Sequence, residues 1–242
     1  TDAELALAQI SGYWPQARER FKSKLDKLKK EGFSFKLDFV VYVLLGVLHH
    51  NGSEMRKLHG DNNDDALREA WEKLDNKVLD YVANLLRSHA FVDHTYEINS
   101  IYALVPIIVY CHGRDCNLSQ TEALKIVKWF YYSQVRRRYV GQLPQKLDYD
   151  LKIVAEHPSP FDRLLDVIRE ERGGNISITA DEFEGRAIQH PLFALMRWHF
   201  KGRGAKCLTT GVKIQNPMGD KYQLENDHIF PFKGLKAEGF GA

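Results

Sequence analysis

Apolar residues recur at spacings of three and four along most of this chain, the period of a helix with one buried face. From Ala3 to about Glu31 the period is interrupted only at Trp14-Pro15, where Pro15 suits the first turn of a new helix. Ala17, Phe21, Leu25 and Leu28 form one stripe, with Lys22, Lys24, Lys27, Lys29 and Lys30 largely outside it. Glu19, Asp26 and Glu31 dilute those lysines, so the face reads as solvated. Leu37 to His50 is apolar almost all round, which predicts a helix at the centre of a bundle, stopped by Asn51-Gly52. His49 and His50 fall in its last turn, where a histidine interacts favourably with the helix dipole. After a polar break from His59 to Asp64, a long helix from about Asp65 to His89 carries a seam of Leu67, Trp71, Leu74, Val78, Tyr81 and Leu85.

Ser100 to His112 is a further apolar helix, and Pro106 within it predicts a kink or break near Ala103. Ser119-Gln120-Thr121-Glu122 has the capping-box pattern and opens the clearest helix, running past Trp129 and Phe130 to Tyr139 and ending at Gly141. Arg136, Arg137 and Arg138 occupy successive positions and so fan around that helix. At least one must face inward or toward a neighbouring domain, and a buried arginine needs an acidic or phosphate partner. Helices follow at Lys146 to Glu156 and at Pro160 to Arg172, the latter with Ser159 as N-cap and Gly173-Gly174 as its stop. Thr179 to Glu182 is a second capping box, and Pro191 opens the last helix, Leu192 to Phe200.

The character then changes. Between Glu184 and Asp220 there is no acidic residue, while Arg186, Arg197, Lys201, Arg203, Lys206 and Lys213 are present. A one-sign segment of this kind attracts a phosphate backbone, and Arg197, Lys201, Arg203, Lys206 and Lys213 are the candidate nucleic-acid contacts. A solvated linker of chance composition is the other reading. Lys206 to Leu208 and Val212 to Ile214 read as short strands around Thr210-Gly211, and Gly219-Asp220 turns into a further strand. That strand, within Tyr222 to Phe232, delivers Asp227 and His228 side by side just before Pro231. Neighbouring strand residues point to opposite faces, so the pair converges only if the strand ends and bends there. An Asp to hold a divalent cation and a His to take a proton from water suit phosphodiester hydrolysis. Glu225, two residues earlier on the same face, is an accessory ligand or outer group, or simply an edge residue facing solvent.

The chain is 242 residues with net charge +2, long enough for one sizeable core, and too balanced for its overall charge to argue for nucleic acid. Three cysteines, an odd number, fit a reducing, cytosolic setting better than a disulfide framework. Cys111, His112 and Cys116 lie close, but only the distant Cys207 remains to complete a zinc site, so helix-end cysteines are the preferred reading. No signal peptide is visible, and the most apolar stretch, Phe39 to Leu48, is too short to span a bilayer.

Asp227-His228-Ile229-Phe230-Pro231 resembles the first half of the HNH, or ββα-metal, endonuclease motif. Lys128 to Ser133, Arg136 to Tyr139, Lys146 to Leu151 and Ile98 to Pro106 look like the helical middle region of bacterial GmrSD-type proteins. Those pair a ParB-like nucleotide-hydrolysing N-terminal domain with a C-terminal HNH nuclease. The resemblance implies His228 as catalytic general base, Asp227 as ligand of a divalent metal (Mg or Mn), DNA as partner, and an N-terminal nucleotidase domain in the same protein, in a restriction or anti-phage role. It departs from the family downstream. An HNH site needs a further strand with an Asn and a helix with a further ligand, and neither a Walker loop nor an Asp-Gly-Gln-Gln-Arg signature is present.

The expected fold class is therefore mainly α: a multi-helix bundle over 1–205, followed over 206–242 by a short β segment that begins an incomplete ββα-metal motif. The chain is expected to be an internal piece of a longer metal-dependent DNA endonuclease, inactive alone and binding metal weakly. The alternative is a non-catalytic helical scaffold coupling a nucleotide-dependent sensor to an effector.

Overall fold

A computed structural model describes residues 1–60, 64–208 and 211–214, in two compact units, Thr1–Gly202 and Arg203–Ala242. In the first unit α1 (Asp2–Tyr13) and α2 (Ala17–Lys30) are separated by the turn at Pro15, which stands just outside α2. Next come α3 (Leu37–His49) and the long rod of α4 (Asp64–Lys73) and α5 (Leu79–His89). Then follow α6 (Leu104–Gly113), α7 (Gln120–Val135), α8 (Leu143–Glu156), α9 (Pro160–Glu171) and α10 (Pro191–Gly202).

The all-round apolar α3 is central, packing on α1, α4 and α6. A Cβ at Gly46 would stand 2.8 Å from Val109 and 3.3 Å from Leu151, so the missing side chain lets α3 approach α6 and α8 closely. The second half of the unit is built on α7, which packs on α5, α9 and α10. All four tryptophans, Trp14, Trp71, Trp129 and Trp198, lie in the core. Three of them join helices distant in sequence: Phe21 meets Trp71 at 4.3 Å, Trp129 meets Phe161 at 5.4 Å, and Tyr131 stacks on Trp198 at 5.5 Å.

The long rod is not α-helical throughout. Leu74–Val78 is a π turn whose i→i+5 bonds bring Asp75 and Asp80 toward one side, where an α-helix would separate them. Both face Lys24, whose Nζ lies 2.9 Å from Asp80 and 3.6 Å from Asp75 and also donates to the Asp75 carbonyl. Lys24 is thereby buried, unlike the solvated lysine expected of it. It sits at the edge of the apolar stripe, one turn before Leu28, where its stem packs and its ammonium finds two carboxylates.

Proline placement follows the backbone accounting. The 3-10 turn Ile101–Ala103 gives way to α6 at Leu104, so Pro106 falls in the first helical turn, where its missing N–H is not needed. The break near Ala103 is thus a change of helix type. The expected helix to Gly141 ends instead at Val135. Arg138 N–H donates to the Ser133 carbonyl at 2.9 Å and Arg137 N–H to the Gln134 carbonyl at 3.2 Å, a Schellman closure with Arg137 in the left-handed region at φ 56°.

The expected β segment requires correction. Among the described residues there is no strand: 206–208 and 212–214 meet in one antiparallel bridge, Lys206 with Lys213. Cys207 N–H donates to Val212 and Ile214 N–H to Ala205, each at 2.8 Å, and Gly211 N–H donates to Cys207 at 2.9 Å. Alternation along these segments buries little, since Leu208 is 96% and Val212 65% exposed, and a two-stranded ribbon without a covered face is marginal. The remaining expected strand, within 222–232, lies outside the described residues.

Candidate functional site

Asp227, His228 and Glu225, expected as metal ligand, general base and accessory group, lie outside the described residues. Among the described residues no group of three or more His, Cys, Asp or Glu side chains is placed to hold a metal ion. Cys111 and Cys116 are both free and buried, and burial pushes both thiols up, which suits packing rather than reactivity. Burial and the Lys57 charge hold the His49 imidazole below its ordinary value, and its Nε2 is enclosed without a hydrogen-bond partner.

The five expected phosphate contacts fall in three different settings. Lys201 is drawn inward: its Nζ lies 2.9 Å from Asp93 and 3.3 Å from both oxygens of Glu97, with the side chain only 7% exposed. Glu97 also accepts the Trp198 indole N–H at 2.8 Å. This buried network ties the last helix of the unit to the loop before α6, and Gly202 completes it. A Cβ there would stand 2.7 Å from the Phe91 ring. Arg197 is half-buried with its Nε enclosed and without a hydrogen-bond partner. Arg203, Lys206 and Lys213 are exposed, and the bridge sets Lys206 opposite Lys213, where two like charges repel.

Glu97 has no spacing signal in the sequence. Lys201 has one: it follows Trp198 by three residues, on the face that α10 buries. A lysine on the buried face of a helix implies an acid partner from elsewhere in the chain.

The arginine triplet organises the opposite end of α7. Arg136, with a side chain 5% exposed, reaches Glu182 with both terminal nitrogens, at 2.5 and 3.1 Å, and donates to the Ile176 and Ser177 carbonyls. Arg138 is buried against Asp150, at 3.1 and 2.7 Å, and also meets Glu171. The Tyr139 hydroxyl donates to the same Asp150 carboxylate at 2.6 Å, and burial raises its pKa well above the ordinary value. Two of the three arginines thus turn inward, and both find acids. Arg137 remains exposed.

Two carboxylates in this half of the unit are held at about 2. Glu122 is bonded by the Ser119 hydroxyl and backbone N–H and by Tyr110, and Glu182 chiefly by Arg136. A depressed folded-state pKa stabilises above the unfolded value and loses that contribution as pH falls through the folded one. The urea midpoint is therefore expected to fall between pH 4.5 and about 2, and to fall less in a Glu122→Gln, Glu182→Gln double variant. An unchanged acid profile in that variant would count against these bonds.

The gaps beneath Phe39 and beside Phe33 measure about 0 and 10 Å³. A wider cleft of about 380 Å³, near Asp2, Glu54, Arg56 and His59, mixes both charge signs. No helix among the described residues is long and apolar enough to cross a membrane. No protein-family model, no curated protein and no solved structure matches the chain.

Proposed function

We propose that Thr1–Gly202 is a non-catalytic helical scaffold that couples a nucleotide-dependent sensor domain of the same protein to an effector. The observation that carries this reading is the fate of its ionisable side chains. Glu97 with Lys201 and Glu182 with Arg136 join elements far apart in sequence, and Asp150 with Arg138 ties the end of α7 to α8, so charges that chemistry would need exposed are used as cross-links. The last helix, α10, is held from within by Glu97, which suits an element that must transmit a displacement rather than absorb it.

A second reading, metal-dependent cleavage of DNA by Asp227 and His228 with Mg or Mn, has one observation of its own in favour. Lys206 opposite Lys213, near the exposed Arg203, is a positive pair with no ion-pair partner among the described residues, suited to a phosphate backbone. Nicking of supercoiled plasmid by the whole protein, this chain together with its sensor and effector domains, and by the same protein carrying His228→Ala, with magnesium or manganese, decides between them. The scaffold reading expects equal behaviour of the two proteins. Nicking that disappears in the variant overturns it in favour of the nuclease.

A further inference from the structure

One residue holds the start of α10. Pro191, at the first helical position, has no N–H to place, so the leading backbone donors of the helix are Leu192 and Phe193. His190 takes both: Leu192 N–H donates to its imidazole Nδ1 at 3.3 Å, and Phe193 N–H donates to its carbonyl at 2.9 Å. His190 N–H in turn donates to the Ala187 carbonyl at 2.8 Å, which fixes the residue on the preceding turn. An imidazole thus stands where a serine, threonine, aspartate or asparagine usually caps a helix. A hydroxyl or amide oxygen accepts at every pH. Nδ1 accepts only while it carries no proton, so this ring is neutral with its hydrogen on Nε2.

Protonation undoes this cap in two ways. It turns Nδ1 from acceptor to donor and strands the N–H of Leu192, a residue only 1% exposed, where water does not readily replace the lost partner. It also sets a positive charge at the positive end of the α10 dipole, whose first turn holds no acidic side chain. The charges that face the ring from outside α10 act in the same direction. Arg186 comes from the preceding segment and Arg137 from the end of α7, and Glu182, which opposes them, already gives both carboxylate oxygens to Arg136. Burial, then these two arginines, hold the imidazole below its ordinary value, the direction that the cap requires. The ion pairs of α10 itself, Lys201 with Asp93 and Glu97, lie at its other end.

We propose that His190 is a pH-sensitive cap: neutral, it closes the first turn of α10, and protonated, it releases that turn while the rest of the helix stays docked. The docking is separate, because Trp198, two turns further along, is bonded by Glu97 and stacked on Tyr131. The sign follows from linkage. A folded-state value held below the unfolded one, about 6.5, gives stability that is complete above that pH and lost as pH falls through the folded value. Glu122 and Glu182, held at about 2, stay charged across the upper part of that fall, so the two effects separate. This goes beyond the scaffold reading and stands whatever the chain couples: it places a joint that answers to protons at the start of the last helix of the unit.

The test is amide hydrogen exchange of the full chain from about pH 7.5 to about pH 4.5, each rate divided by the intrinsic rate at that pH, with the His190 ring titrated by NMR in the same samples. The comparison proteins are His190→Asn, which caps without titrating, and His190→Ala, which does not cap. Protection of Leu192 and Phe193 is expected to fall roughly five-fold in the parent, as for one lost cap, with the midpoint of the ring titration. It is expected to stay level in His190→Asn and to be low throughout in His190→Ala, while protection of α3 is unchanged in the parent. Parent protection that does not respond to pH overturns the cap. So does an equal fall in His190→Asn or in α3, or a midpoint apart from that of the ring.

Discussion

Asp150→Ala is expected to lower the unfolding free energy by about 3–5 kcal/mol, because it leaves the Arg138 guanidinium buried without its main partner. Arg138 has a side chain 3% exposed and Asp150 is fully buried, so water cannot replace the lost carboxylate. Glu171, the other acid on Arg138, is 46% exposed and compensates little, and its own removal is expected to lower stability by less than about 1 kcal/mol. Tyr139→Phe, which deletes one hydrogen bond to Asp150, falls between, at roughly 1–2 kcal/mol. A double replacement, Arg138→Met with Asp150→Leu, is expected to recover much of the loss, since removing both charges leaves none uncompensated. Urea unfolding of the four proteins checks the ordering. Equal midpoints for Asp150→Ala and Glu171→Ala would sink the assignment of Asp150 as the principal partner.

Glu97→Ala is expected to cost about 2–4 kcal/mol and to act mostly on α10. It strands the Trp198 indole N–H and half of the Lys201 pairing, with Asp93 still in place to hold the ammonium. Because Trp198 also packs on Phe130 and stacks on Tyr131, the helix stays docked while its amide protection falls. Hydrogen exchange is the direct readout: protection across Pro191–Gly202 should drop in the variant while that of α3, on the other side of the unit, is nearly unchanged. A uniform loss across both helices would mean that Glu97 stabilises the whole unit rather than its last helix, and the coupling role assigned to α10 would lose its support.

The two networks share a cause that bears on the functional reading. Each is built from a cation and an acid supplied from 12 to 108 positions away. Such contacts contribute orientation as much as stability, because a charge enclosed in low dielectric tolerates few arrangements of its partner. A body that relays between neighbouring domains gains from that restriction.

Sequence by itself determined the helical class, the apolar α3 at the centre, the Ser119 capping box and the inward turn of the arginine triplet. The first three depend on local period and on cap chemistry, whereas the arginines, expected to fan around a helix, lie beyond the end of α7 and are spread by its Schellman closure. It led astray where burial rather than pattern decides. Lys24 and Lys201 look solvated in a list of charges, but each lies at the edge of a buried face and meets an acid from a remote segment. The segments 206–208 and 212–214 have strand-like alternation, but Leu208 and Val212 are exposed, and among the described residues they form a single bridge rather than a strand. The π turn and the pairing of Lys24 and Lys201 with their acids were decided by tertiary structure alone. The partners that hold those features lie tens of residues away, and no local pattern encodes which remote acid or backbone group a side chain will find.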